Sequence, residues 1–143
     1  MREIIFRGKR LDNGEWETGS LMKVTVAERT YFLIFGDGFA YDAESIKALA
    51  HGCVDPDTVG QYAGLRDKCG NRIFEGDIVK REFTLWHGET KKTRETQFGV
   101  VVYSNKECGF RVEKKCNLRK PWNGDTIEVI GNIHDNPEIM KGE

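Results

Sequence analysis

What the chain lacks narrows its nature first. No apolar run approaches the roughly 20 residues that a membrane-spanning helix needs. The opening "MREIIFRGKR" has no apolar stretch long enough for the core of a signal peptide. The expectation is a soluble chain in the cytosol of its host, with no membrane partner. Paired zinc knuckles are missing too: Cys53, Cys69, Cys108 and Cys116 are widely spaced, and His51 two residues before Cys53 makes one close pair where two are wanted. With nothing pointing to secretion in 143 residues, the four cysteines read as thiols rather than as a disulfide framework.

Phosphate loops are absent as well. The stretch "VGQYAGLRDKCGNRIFEGDIV" carries Gly60, Gly64, Gly70 and Gly76, but Gly76 is followed by Asp77 and Ile78, where a Walker loop needs Lys and then Ser or Thr. A carboxylate at that place repels phosphate, and no G-x-G-x-x-G fingerprint opens a helix. These glycines are therefore turn residues, Gly70 and Gly76 suiting positions of positive φ.

Histidine is scarce. His51, His87 and His134 fall in three different segments, and none accompanies a serine or cysteine in a nucleophile motif. His134 in "GNIHDNPE" is the best placed general base, although a turn histidine covering apolar surface explains it more simply. Asp67, Glu75 and Asp77 form an acidic cluster that could hold a hard cation. They lack the spacing of a calcium loop, and Asp67 and Asp77 are more simply turn residues bonding their own backbone. No catalytic residue, metal or cofactor is expected.

What is there is mostly strand. Hydrophobic residues at 38% supply a core for one domain or two small subdomains. "EIIFRGKRL", a turn at Asp12, Asn13 and Gly14, and "EWETGSLMKVTV" make a hairpin. "TYFLIFGDGFAY" is a β-rich run broken by Gly-Asp-Gly. "DAESIKALAHG" is the one helix expected, with Asp42 as its cap and Gly52 at its end. "VDPDTVGQY" reads as an extended linker because Pro56 steers Asp55 away from helix. The expected division is thus an N-terminal β subdomain over 1–58 and a β-barrel subdomain over 59–143, packed as one compact unit. In the second, the runs "IVKREF", "QFGVVVYSN", "CGFRVEKKC" and "DTIEVIGNIHDNPEIM" suggest a small SH3-like barrel, with "TLWHGETKKTRETQ" as a long hairpin tip.

Charge is unevenly spread. From Lys80 to Lys120 eleven basic side chains face five acidic ones, whereas the whole chain is close to neutral. Trp86, Phe110 and Trp122 are interleaved there with Lys91, Lys92, Arg94, Arg111, Lys114, Lys115, Arg119 and Lys120. Aromatics beside basic side chains are what single-strand nucleic-acid surfaces use. Solvated edge charges explain the same run more simply, and Phe110 is better read as core.

Taken in order, "IIFRGKRLDNGEWETG", "VDPDTVGQYAGLRDKCGNRIFEGDIV", "FGVVVYSNKECGF" and "IEVIGNIHDNPEIM" resemble the successive signatures of the YopX family of phage and prophage proteins. Ala63 and Cys69 depart from the usual pattern, which has threonine and a polar residue there. The signature turn residues fall on Gly64, Asp67, Gly70, Glu75, Gly76, Asp77, Gly131, Asn132, Asn136 and Pro137. The resemblance implies a mainly β architecture with an SH3-like barrel portion and at most one or two short helices, a phage or bacterial origin, self-assembly, and no established activity. Three readings follow: a non-enzymatic oligomer that binds a host or phage protein, a nucleic-acid-binding module using the basic 80–120 surface, and, least favoured, a hydrolase or metal-dependent enzyme.

Overall fold

The computed structural model describes residues 1–36, 52–113 and 124–141. The chain divides into two compact units, Met1–Tyr62 and Ala63–Glu143. The helix expected over "DAESIKALAHG" lies, apart from its last residue, outside the described residues.

The first unit is an antiparallel sheet. Its strands are β1 (Phe6–Lys9), β2 (Trp16–Val26), β3 (Arg29–Phe35), β4 (Cys53–Val54) and the first residues of β5 (Gly60–Arg66), in the order β4-β3-β2-β1-β5. The β1–β2 connection uses ordinary turn chemistry: Asn13 Oδ1 accepts from the Glu15 N–H at 2.9 Å, and Gly14 has φ +71°. The β2–β3 turn does not. Ala27 and Glu28 both adopt positive φ, 48° and 65°, where a twisted two-stranded hairpin prefers Asn-Gly. Leu33, Ile34, Phe35, Val54 and Tyr62 are buried as the apolar core of this unit.

The extended linker expected around Pro56 is instead part of this sheet. Cys53 and Val54 pair with Leu33 and Phe32, Pro56–Thr58 form a 3-10 turn, and β5 follows at once. The reason is local. Asp55 Oδ1 accepts from the Asp57 N–H at 3.0 Å, and the Asp55 N–H donates to Lys9 O at 2.8 Å. Thr58 Oγ1 donates to Asp55 O at 2.7 Å and accepts from the Lys9 N–H at 2.8 Å. Proline at the first turn position costs nothing, because its missing N–H has no helical partner there anyway.

The second unit holds the rest of β5 with its neighbour β6 (Arg72–Phe74), and a four-stranded antiparallel sheet. That sheet contains β7 (Asp77–His87), β8 (Lys91–Ser104), β9 (Gly109–Glu113) and β10 (Ile127–Asn132), in the order β10-β7-β8-β9. The short α1 (Pro137–Lys141) closes the described chain. Ile73, Val79, Val101 and Ile127 form the buried cluster, with Ala63, Val112 and Val129 packed against it. The SH3-like barrel expected over 59–143 is, among the described residues, an open sheet. Its edge strands β9 and β10 are separated by β8 and β7 and do not pair with each other, and β5 and β6 belong to the other sheet, so the hydrogen-bond ladder does not close.

Buried polar groups set the geometry of this unit. Asp67, 5% exposed, accepts at Oδ1 from the N–H groups of Cys69 (2.9 Å) and Asn71 (2.8 Å). Its Oδ2 accepts from Val129 N–H (3.0 Å) and Asn71 Nδ2 (3.3 Å). The Lys68 N–H also donates to Ile127 O at 3.0 Å, so the turn after β5 covers the outer edge of β10 beside its bulge between Val129 and Gly131. Burial pushes the Asp67 pKa up, but the hydrogen bonds from Val129, Asn71 and Cys69 outweigh it and hold the carboxyl below its ordinary value.

Candidate functional site

Three places in the second unit have the chemistry to act on something else. The first is an apolar groove of about 300 Å³, walled by Ala63 and Leu65 of β5, Ile73 of β6, Val101 of β8, Phe110, Arg111 and Val112 of β9, and Ile127 of β10. Strand alternation builds it: Ala63 and Leu65 lie two apart on one strand, Phe110 and Val112 two apart on another, so each pair points the same way. Phe110 is held edge-on to Tyr103, directly opposite it, with ring centroids 5.2 Å apart. Leu65 is 53% exposed on the wall. The groove's polar element is Arg111, whose guanidinium reaches Glu113 at 2.7 Å and Glu107 at 3.5 Å.

The second is the β7–β8 hairpin. The ladder runs unbroken from Ile78 opposite Val100 to His87 opposite Lys91, so the segment expected as a long tip is paired strand, and its turn is confined to Gly88, Glu89 and Thr90. Trp86 is 64% exposed and stands opposite Lys92, whose ammonium lies 5.6 Å from the indole centroid. Arg94 donates to Glu82 at 2.6 Å on the same face. On the other face His87 Nε2 meets Thr93 Oγ1 at 2.9 Å, and nearer the core Arg81 donates twice to Gln97 Oε1, at 3.0 and 2.7 Å. Burial lowers the Arg81 pKa.

The third is a pair of apposed turns. Asp77 Oδ2 accepts from the Phe74 N–H at 2.8 Å, and Gly76, with φ +89°, accepts at its carbonyl from the Ile133 N–H at 2.9 Å. A Cβ on Gly76 would stand 3.6 Å from His134 Nε2, so His134 lies over the Glu75–Gly76 turn. Asn132 Oδ1 accepts from the N–H groups of His134 (3.0 Å) and Asp135 (2.9 Å), and Asn136 Oδ1 accepts from the Asn132 N–H at 3.3 Å. A Cβ at Gly131 would meet Asn136 Oδ1 at 2.5 Å. Burial raises the Glu75 pKa.

The signature residues thus divide by place. Asp67 and Gly70 form the turn after β5, Glu75, Gly76 and Asp77 the turn before β7, and Gly131, Asn132, Asn136 and Pro137 the exit from β10 into α1, while Gly64 lies within β5 at φ +86°. Of the basic and aromatic surface, Trp86, Lys91, Lys92 and Arg94 come together on the hairpin. Lys114, Lys115, Arg119, Lys120 and Trp122 lie outside the described residues, as do His51 and Cys116. Cys69 and Cys108 are exposed thiols, and among the described residues no three His, Cys, Asp or Glu side chains are grouped to hold a metal ion. No helix among them is long and apolar enough to cross a membrane.

Sequence reasoning missed the groove, because its walls come from five strands far apart in the chain. It also missed a second cation–aromatic cluster, in which Arg7 and Lys9 lie 4.8 and 5.6 Å from the centroid of Trp16. The alternation of Arg7 and Lys9 across from Trp16 on a hairpin was a usable signal for it.

Antiparallel strands make up most of the described residues, so the protein is mainly β. The model of the family described as YopX protein matches residues 6–141, and the chain belongs to that family. Among solved structures it is similar to protein EF1440 from Enterococcus faecalis, with 20% identity, a TM-score of 0.51, and coverage of 98% of this chain and 99% of that one. At that identity the likeness concerns the fold. No curated protein matches the chain.

Proposed function

We propose that this protein is a non-enzymatic binding module of phage or prophage origin that works in the bacterial cytoplasm by associating with itself and with a host or phage protein. The observation that carries the reading is the groove between β5 and β9. It is lined almost wholly by apolar side chains, open to solvent, and rimmed by the exposed Leu65. A space of about 300 Å³ is at the lower end of ligand pockets, and an open apolar cleft of that size takes one or two side chains of another protein. Charge supports self-association. Met1–Tyr62 carries seven basic and ten acidic side chains and Ala63–Glu143 fifteen and thirteen, so unlike units of two copies attract.

Light scattering over a micromolar concentration series tests this. The wild-type chain is expected to form a defined oligomer, and Leu65→Glu, which places a charge on the groove wall, to shift it to monomer. A wild-type chain that stays monomeric throughout, or an oligomer indifferent to Leu65→Glu, overturns the proposal.

A further inference from the structure

The β7–β8 hairpin carries features that neither the groove nor the fold uses. Both faces of β7 are buried at its start, at Ile78 and Val79, but beyond Lys80 the strand alternates: Arg81, Phe83 and Leu85 are buried or half-buried, whereas Glu82, Thr84 and Trp86 are exposed. Trp86 therefore points away from the core, where packing gives no reason for an indole. Residues directly opposite share its face: Lys92 opposite Trp86, Arg94 opposite Thr84, Thr96 opposite Glu82. Among the described residues no carboxylate pairs with Lys92, which instead lies over the indole. Beside them Glu82, Thr84, Lys92 and Arg94 help line a hollow of about 400 Å³.

We infer that this face binds single-stranded nucleic acid, with a base stacked on Trp86 and phosphates on Lys92 and Arg94, and that Glu82 holds Arg94 back from the phosphate until the strand displaces it. An exposed indole offers a sequence-tolerant π-face, and stacking of bases on aromatics beside basic side chains is how an unpaired strand is held without regard to sequence. The 2.6 Å Glu82–Arg94 pair is itself open to water, with the two side chains 39% and 77% exposed. Such pairs contribute little, so a phosphate can compete for the guanidinium. A negatively charged protein segment would not need the indole, and a duplex would not expose base faces to it. The chemistry favours a flexible anionic strand with planar groups.

The test is fluorescence anisotropy with a labelled short oligothymidylate, on the full chain, across a salt series. The wild type should bind weakly and lose affinity with salt. Trp86→Ala should weaken binding about tenfold or more, while Trp86→Phe retains most of it. Glu82→Gln should tighten binding severalfold, because the phosphate no longer has to displace a carboxylate from Arg94. That gain should largely vanish in the Glu82→Gln, Arg94→Ala double variant, and unchanged circular dichroism checks that each variant folds. Absence of salt-sensitive binding, indifference to Trp86→Ala, or a Glu82→Gln gain that persists in full without Arg94 would each overturn the inference.

Discussion

The two units bury different things. In Met1–Tyr62 the buried set among the described residues is Leu33, Ile34, Phe35, Val54 and Tyr62, with Thr58 as its polar member. In Ala63–Glu143 the apolar cluster is interleaved with Asp67, Asp77, Arg81, Gln97, Ser104 and Asn132. Apolar burial is non-directional and fixes how much surface is hidden. Buried hydrogen bonds are directional, and they fix which atom meets which. The second unit, which carries the groove, the hairpin and the apposed turns, is thus the one whose geometry is specified by polar contacts and is the more sensitive to losing one of them.

The largest break in that comparison should come from Asp67. Asp67→Ala removes the charged acceptor of three backbone N–H groups of the second unit, and a hydrogen bond to a charged group contributes about 1.5–3 kcal/mol. A loss of about 3 kcal/mol in urea unfolding is expected, with amide protection falling in Ala63–Glu143 well before Met1–Tyr62. Asp67→Asn should cost less, since one oxygen remains for Cys69 and Asn71, yet its amide would face the Val129 N–H as a second donor.

Acid should act through the same residue. A carboxyl whose pKa is depressed on folding adds stability that is complete above its unfolded pKa, near 3.9, and is lost as the pH falls through the lower folded value. Glu75 works in the opposite sense: its raised pKa means that its ionised form opposes folding, so protonation on the way down through the weakly acid range relieves a strain. Unfolding midpoints measured across the acid range should therefore drop most steeply at the acid end, and Asp67→Asn should flatten that limb.

A smaller effect of opposite sign is expected in the first unit. Replacing Ala27 and Glu28 by Asn and Gly puts at φ 48° and 65° the residues that tolerate those angles, and should stabilise the protein by about 1 kcal/mol in thermal or urea unfolding. The smallest effect should be that of Trp86→Ala on stability, within about 0.5 kcal/mol, because an exposed side chain off the core has little packing to lose.

Much of the fold was legible where local chemistry and final structure agree. Asp12, Asn13 and Gly14 mark the β1–β2 turn because an Asn side chain and a positive-φ Gly are what it uses. The β2–β3 turn carried no such mark, since Ala27 and Glu28 hold left-handed angles that only the pairing of the flanking strands enforces. The Pro56 segment read as a linker because the partner of Thr58 is Lys9, 49 residues away. The five-residue α1 is too short for a helical period to show, although Asn136 and Pro137 are ordinary start signals. Of the candidate surfaces, Trp86 with Lys92 was legible because neighbours in a hairpin are neighbours in sequence. The groove was not, because Leu65 and Phe110 meet only through the tertiary arrangement of the second unit.

Amide hydrogen exchange at low and high protein concentration tests most directly whether the groove is where another chain binds. Protection that rises with concentration at Ala63, Leu65 and Val112, and stays constant at Trp86 and Lys92, is the predicted result. Protection that is independent of concentration at the groove, or that rises only elsewhere, contradicts it.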